Sequence, residues 1–295
     1  MITQLSILIP IYNSACSALV RRLHALCEQV EQPFDYEIVV ADDGSTRTDI
    51  IRYNEQVNSM PHCRLLMKAD NSGSAATRNY LAANSRYPWL LFIDSDMGLP
   101  DDDYLSRYLA YDQYDVVNGG ICVARRSRTF GNLRYRYERH CESAHTTERR
   151  NKDPFRQFRS TNFLIRRTCF ERCPFDERYR KSGYEDVAFG RSLSLAGATI
   201  LHIDNPVSLQ DFEPNGPYLL KLERQWQTLH RFSSDLEGYS SLLDLTRKPW
   251  FRRLRPLIVS WHRAMGPLER RNLTGSHPCL AIFYLYKLGC FVNIH

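Results

Sequence analysis

The run Leu90-Leu91-Phe92-Ile93-Asp94-Ser95-Asp96 passes from four apolar residues into two carboxylates, as a buried strand does when it delivers acids to a site. Alternate side chains share a strand face, so Asp94 and Asp96 point together if the strand continues and fan around a loop if it stops. Paired hard oxygen ligands suit Mg²⁺ or Mn²⁺ carrying substrate phosphates. A polar turn running into Pro100 uses the same residue types. Two further acidic pairs invite the same scrutiny, Asp42-Asp43 before Gly44 and Glu185-Asp186 after Tyr184.

The elements that carry these acids alternate. Leu5 to Ile9 is an apolar run closed by Pro10 and a polar turn, and Tyr36 to Ala41 is a second that breaks at Asp42-Asp43-Gly44-Ser45. Between them Leu19, Leu23, Leu26, Cys27 and Val30 recur at helical spacing. Arg64 to Met67 reads as a third strand, and Asn71-Ser72-Gly73 opens a helix reaching Ala83. Strands alternating with helices predict a parallel, doubly wound sheet, because each crossover must return over a sheet face. Ligands bind beyond the carboxyl ends of such strands. Asp42, Asp43, Asp94 and Asp96 all fall on that edge.

Five strings in this order, IPIYN from Ile9, ADDGS from Ala41, NSGSAATRN from Asn71, DSD from Asp94 and YED from Tyr184, resemble the motif set of family 2 glycosyltransferases of the GT-A fold. The resemblance covers about the first 210 residues. It implies a Rossmann-like, mostly parallel sheet with helices on both faces, and a metal-dependent, inverting transfer of sugar from a nucleotide diphosphate, with UDP-sugars favoured. Asp43 would hydrogen-bond the base and Arg78 would meet the nucleotide with its planar fork of donors. Asp94 would contact the ribose or metal-bound water, and Asp96 would coordinate Mn²⁺ or Mg²⁺. Asp186 would be the general base for the acceptor hydroxyl, and Glu185 would help to hold the acceptor. Asn162, in the apolar strand from Ser160 to Ile165, is the candidate donor-sugar contact, or else a cap on a strand edge.

Each role has a structural competitor. Asp43 can close an Asx turn. Glu185 and Asp186 begin a helix ended by Gly197, where acids also complement the helix dipole. Many relatives place a histidine ligand after the segment from Thr199 to Val207, whereas this chain reads Ser208-Leu209-Gln210-Asp211. His202 lies upstream within an apolar run and reads as a packed core residue. Gln210, Asp211 or water would have to replace the histidine.

A chain of 295 residues with 43% hydrophobic content is long and apolar enough for one large domain with an appendage. Its nine cysteines lack paired zinc spacing, Cys169 and Cys173 having no second pair. Ile2 and Thr3 lead directly into the first strand, so no signal peptide is read, and reduced thiols in a cytoplasmic protein are expected. The expected division is a catalytic domain over 1–214, with a nucleotide half to about 97 and an acceptor half from 98, and a helical region over 215–295.

That last region carries 12 Lys and Arg against 5 Asp and Glu, while the first 214 residues carry 27 against 28. Arg252, Arg253 and Arg255 interleave with Trp250, Phe251 and Trp261, a pattern that suits an anionic membrane surface. The apolar run from Cys279 to Val292 is interrupted by Lys287 and is too short to span. A helical tail packed on the catalytic domain fits equally, and nucleic-acid binding has no motif to support it. The acceptor expected is a glycan or lipid-linked glycan, as in polysaccharide biosynthesis. Two alternatives remain. A sugar-1-phosphate nucleotidylyltransferase would need a glycine-rich basic loop after the first strand, where Tyr12-Asn13-Ser14-Ala15-Cys16 stands. A catalytically silent nucleotide-sugar-binding or scaffolding protein would tolerate the altered segment around Leu209.

Overall fold

The structure, a computed structural model, describes residues 1–124, 129, 131–180 and 183–294. Ser182, part of the expected approach to the acidic pair, lies outside them. Strands β1 (Gln4–Ile11), β2 (Asp35–Asp42), β3 (Cys63–Met67), β4 (Trp89–Ile93), β6 (Val116–Asn118), β8 (Asn162–Arg166) and β9 (Ile200–His202) form a sheet in the order β3-β2-β1-β4-β8-β6-β9. A smaller sheet joins β5 (Met97–Gly98), β10 (Val207–Leu209) and β7 (Ile121–Val123) in the order β5-β10-β7.

Strand alternation divides the core in two. Ile7, Ile9, Ile38, Val40, Leu91 and Ile93 face one cluster with Leu19 and Leu23 of α1 (Ser17–Glu28). Their neighbours Leu8, Val39, Ala41, Leu90 and Phe92 face a second cluster with Ala75 and Leu81 of α3 (Ser74–Ala83). Both faces of β1, β2 and β4 are therefore apolar, which explains why these strands read as continuous hydrophobic runs. The mostly parallel sheet with helices on both faces is the expected architecture.

One strand runs against its neighbours. β8 pairs antiparallel with both β4 and β6, with Ile93 opposite Asn162. A strand buried on both faces carries the same apolar signature in either direction, so its polarity is set by the chain path. The reversal brings Thr161 beside the end of β4, where the Asp94 N–H donates to the Thr161 carbonyl at 3.0 Å. The apolar segment after Gly197 is likewise divided into β9 and β10, which belong to different sheets.

The C-terminal helices α9 (Asn215–Arg231), α10 (Ser241–Arg247), α11 (Pro249–Thr274) and α12 (Leu280–Val292) share a third apolar cluster with Leu133 of α5 (Leu133–Cys141) and with Tyr179. They are packed on the sheet-bearing part rather than hung from it. Among the described residues no helix is long and apolar enough to cross a membrane.

Candidate active site

β1, β2 and β4 end at one edge, and two adjoining cavities of about 510 and 430 Å³ open there. Tyr12, Asp43, Asn71, Gly73 and Thr77 line the larger, whereas Ser160, Thr161, Tyr184, Asp186 and Trp226 line the smaller. Arg78, Asp94, Asp96, Arg134, Glu185 and Lys221 line both. They form a charged partition between two chambers of one cleft.

In the larger chamber Asp43 organises the loop into α3. Its Oδ1 accepts from Lys68 Nζ at 2.5 Å and from the Ser72 N–H at 3.0 Å, and its Oδ2 accepts from the Gly73 N–H at 2.8 Å. Burial opposes the charge, but these donors outweigh it and hold the carboxyl below its ordinary range. Gly73 has φ +91°, and a Cβ there would stand 2.5 Å from the Arg180 carbonyl oxygen, so only glycine fits. Asp42 is fully buried and accepts from the Ser45 N–H at 2.7 Å, a turn contact. The local turn is thus made by Asp42, whereas Asp43 holds the distant start of α3 and also lines the cavity. Lys68, one residue beyond β3, was not singled out in the sequence although its place at a strand's carboxyl end was the available signal.

Arg78 projects from α3 into the partition. Its Nη2 donates to Asp94 Oδ1 at 2.7 Å, its Nη1 lies 3.6 Å from Glu185 Oε1, and its plane lies over Phe175 at 5.3 Å. Asp94, one residue past β4, and Asp96 fan around a turn, since the strand stops at Ile93. Burial and the neighbouring Asp94 push the Asp96 carboxyl up to about 6, against the pull of Arg134 and Lys221. Arg134 stands 3.8 Å from Asp96 and 3.8 Å from Glu213.

Asp186 sits in the first turn of α8 (Glu185–Leu195). The turn before it is built from two left-handed residues, Gly183 at φ +105° and Tyr184 at φ +68°. A tyrosine there holds backbone strain of order 1–3 kcal/mol at the start of α8. Burial and the adjacent Glu185 push the Asp186 carboxyl up to about 6, with Arg159 and Arg78 opposing. Glu185 is engaged toward the partition: Oε1 accepts from Ser74 Oγ at 2.7 Å and Oε2 from the Gly183 N–H at 3.0 Å.

Asn162 does not stand where a donor sugar would meet it. Its Oδ1 accepts from the hydroxyls of Tyr104 and Tyr108, each at 2.7 Å, and its Nδ2 donates to the carbonyls of Gly120 and Asn205 at 3.0 and 2.9 Å. The side chain is buried and lines neither chamber. All four bonding capacities are spent, so Asn162 is a strand-edge tie and the sugar-contact expectation is corrected. His202 is a core residue as expected: its Nδ1 accepts from Arg150 at 3.0 Å and its Nε2 donates to the Pro154 carbonyl at 2.8 Å.

The altered segment gives no histidine to the cleft. Gln210 turns back to donate to Ser208 Oγ at 2.7 Å, while Asp211 and Glu213 line the larger chamber. Among the described residues no group of three or more His, Cys, Asp and Glu is assembled for a metal. The donor set nevertheless suits a hard cation, because the Asp94 and Asp96 carboxylates line both chambers and burial, with Asp94 nearby, leaves the Asp96 charge unfavourable until something positive joins it.

The mostly parallel sheet gathers acids and cations around a two-chambered cleft at the carboxyl ends of its strands. The chain belongs to glycosyl transferase family 2, whose sequence profile matches residues 6–176. A chondroitin synthase of Escherichia coli is 34% identical over 107 residues, 36% of this chain and 15% of that protein. A poly(ribitol-phosphate) beta-glucosyltransferase of Bacillus spizizenii is 32% identical over 106 residues, again 36% of this chain and 17% of that protein. These matches span less than a fifth of the relatives' own length. Among solved structures, the mannosyltransferase PcManGT of Pyrobaculum calidifontis, in complex with GDP-Man and Mn²⁺, superposes with TM-score 0.59 at 16% identity, covering 98% of this chain and 84% of that one. A fragment of S. aureus TarS with UDP-GlcNAc superposes with TM-score 0.51 at 16% identity over 98% and 89%. At such identities the likeness shows the fold.

Proposed function

We propose that this protein is a metal-dependent, inverting glycosyltransferase that moves a sugar from a nucleotide diphosphate, UDP favoured, to a hydroxyl of a glycan or lipid-linked glycan. The observation that carries the reading is the shared partition. A donor lying across it puts its base near Asp43 and Tyr12, its diphosphate beside Asp96, Arg134 and Lys221, and its sugar facing Asp186. Two of the solved neighbours hold nucleotide sugars, GDP-Man and UDP-GlcNAc, which supports a donor of that class.

In the proposed reaction Asp186 takes the acceptor hydroxyl's proton as that oxygen bonds to the anomeric carbon. The bond from that carbon to the diphosphate oxygen breaks, and its electron pair leaves with the diphosphate. Asp96 would hold Mn²⁺ or Mg²⁺, with Asp94 beside it on the ribose or a bound water. The cation when bound offsets charge on the leaving diphosphate. Arg78 and the backbone around Gly73 orient the nucleotide, and Glu185 positions the end of the acceptor chamber through Ser74 and Gly183. Asp186→Asn, assayed for sugar transfer and for nucleotide affinity, tests the scheme: loss of transfer with binding retained supports it.

A peripheral contact with the cytoplasmic face of a membrane is part of the same proposal. Trp250, Leu254, Leu257, Trp261 and Leu268 of α11 are 52, 44, 68, 52 and 56% exposed. Their spacing of four, three, four and seven residues puts them on one stripe. Arg253 is exposed beside it, while Arg252 and Arg255 are exposed on other sides of the helix, Arg255 donating to the Val292 carbonyl at 3.1 Å. Phe251, expected among the membrane residues, is instead 1% exposed and faces the protein, because it is one position off the stripe.

A further inference from the structure

α12 reads Leu-Ala-Ile-Phe-Tyr-Leu-Tyr-Lys-Leu-Gly-Cys-Phe-Val, and Lys287 is its one charged residue. A solubilising lysine would lie on the exposed side with Tyr284 and Leu285, which are 42 and 50% exposed. Lys287 is instead half-buried and lines the smaller chamber, the one that holds Asp186.

The other cations of that chamber are spoken for. Lys221 Nζ donates to Glu213 at 2.8 Å, Arg159 stands 3.5 Å from Glu138, Arg78 binds Asp94 at 2.7 Å, and Arg134 stands 3.8 Å from Asp96. Lys287 has neither a hydrogen bond nor an ion pair among the described residues, and burial, with only Cys141 opposing, draws its ammonium below the ordinary range. The ammonium is thus partly shielded from water and has no protein partner among the described residues, so an anion entering the chamber would meet a cation that nothing there pairs. Trp226 and Phe283, both nearly fully buried, form the apolar ground around it. Such surroundings strengthen its attraction for an arriving anion.

We propose that Lys287 binds an oxyanion on the acceptor, so that the acceptor is a polyol or sugar bearing a phosphate or carboxylate near the hydroxyl that Asp186 activates. The proposal rests on the glycosyltransferase reading for what enters this chamber, and it names the acceptor's charge. A neutral glycan would leave the ammonium unpaired. An anionic one pairs it while keeping its hydroxyls free for reaction.

The test is calorimetric titration of the full-length protein, with the donor chamber held occupied by UDP and Mn²⁺, using glycerol 1-phosphate, glucuronate and their neutral counterparts glycerol and glucose. One anion is expected to bind at least about tenfold more tightly than its neutral counterpart, as a charge-assisted hydrogen bond gives. Phosphate preference and carboxylate preference identify the two sources of the oxyanion. Lys287→Met, which suits an apolar helix, should abolish that preference, and Lys287→Arg should keep it. Equal binding of charged and neutral probes, absence of saturable anion binding, or a preference that survives Lys287→Met overturns the proposal. Binding of UDP with Mn²⁺ to the wild-type protein alone reports on the glycosyltransferase reading. Its failure strikes that reading, whereas anion probes titrated without nucleotide still report on Lys287.

Discussion

Arg78 Nη2 donates to Asp94 Oδ1 at 2.7 Å, while Nε and Nη1 of the same guanidinium are buried without a hydrogen-bond partner. A buried donor left unbonded costs about 1–3 kcal/mol; at Nη1 the facing Glu185 Oε1, 3.6 Å away, offsets part of that cost, whereas Nε has no hydrogen-bond partner. The pair of Arg78 and Asp94 fixes where the acidic turn after β4 lies relative to α3.

Arg78→Lys keeps the charge and removes the fork. Nucleotide affinity is expected to fall by about tenfold or more, as for loss of a charge-assisted bond. Titration of UDP with Mn²⁺ by calorimetry checks it, and an unchanged affinity would remove Arg78 from the nucleotide site.

Asp96→Ala is expected to abolish transfer while the fold is retained, since β4 is apolar up to Ile93. Its melting temperature at neutral pH should equal or exceed that of the wild type, because a carboxyl raised to about 6 is held ionised there against its surroundings. Nucleotide release with added Mn²⁺, beside a thermal melt, reads both. Transfer that persists after this change and after chelation would end the metal mechanism.

Asp186→Asn should lower transfer by roughly 10² to 10⁴ while nucleotide affinity stays near wild type. Wild-type kcat/KM should fall on the acid side of about pH 6, where the base takes up its proton. Parallel losses in binding and rate would show that Asp186 serves only the start of α8.

The pH dependence of stability has its own sign. Asp96 and Asp186 bind protons more tightly in the folded chain than at the ordinary value of 3.8, so their contribution is fully present below that value and is lost as pH rises through about 6. Asp43 and Glu37 are lowered, so theirs is present above their ordinary values and is lost as pH falls through their folded ones. Burial holds His145 and His202 down at about 4, so between about pH 5 and pH 7 they oppose the two raised carboxyls, costing stability as pH falls below 6.5. Melts of the wild type and of Asp96→Ala with Asp186→Asn isolate the carboxyl part, the melting temperature of the double variant rising relative to the wild type from about pH 5 to about pH 7.

Sedimentation with anionic liposomes should carry the protein down at low salt and release it as salt is added. Changing Arg252, Arg253 and Arg255 together to Gln should weaken the interaction, each basic residue near such a surface being worth about 1 kcal/mol. Replacing Trp250, Leu257 and Trp261 with Ser should weaken it by a route that salt does not mimic. A protein that stays in the supernatant throughout would leave α11 as a packed helix with an exposed face.

Apolar periodicity in the chain alone was enough to mark β1, β2, β3, β4, α1 and α3, because continuous hydrophobic runs and helical spacing are local signals. Acids at strand ends placed Asp43, Asp94 and Asp96 on one edge for the same reason. Direction and partnership were not local. β8 is apolar whichever way it runs, so only its place between β4 and β6 made it antiparallel and set Thr161 against Asp94. Asn162 has the residue type of a sugar ligand, yet two tyrosines of α4 (Tyr104–Leu109) and two carbonyls from distant loops spend its amide. Lys287 interrupts an apolar run in the sequence and nothing more. It becomes a cation facing Asp186's chamber only when α12 packs against α5 and α9, some hundred residues of chain path away from the base it accompanies.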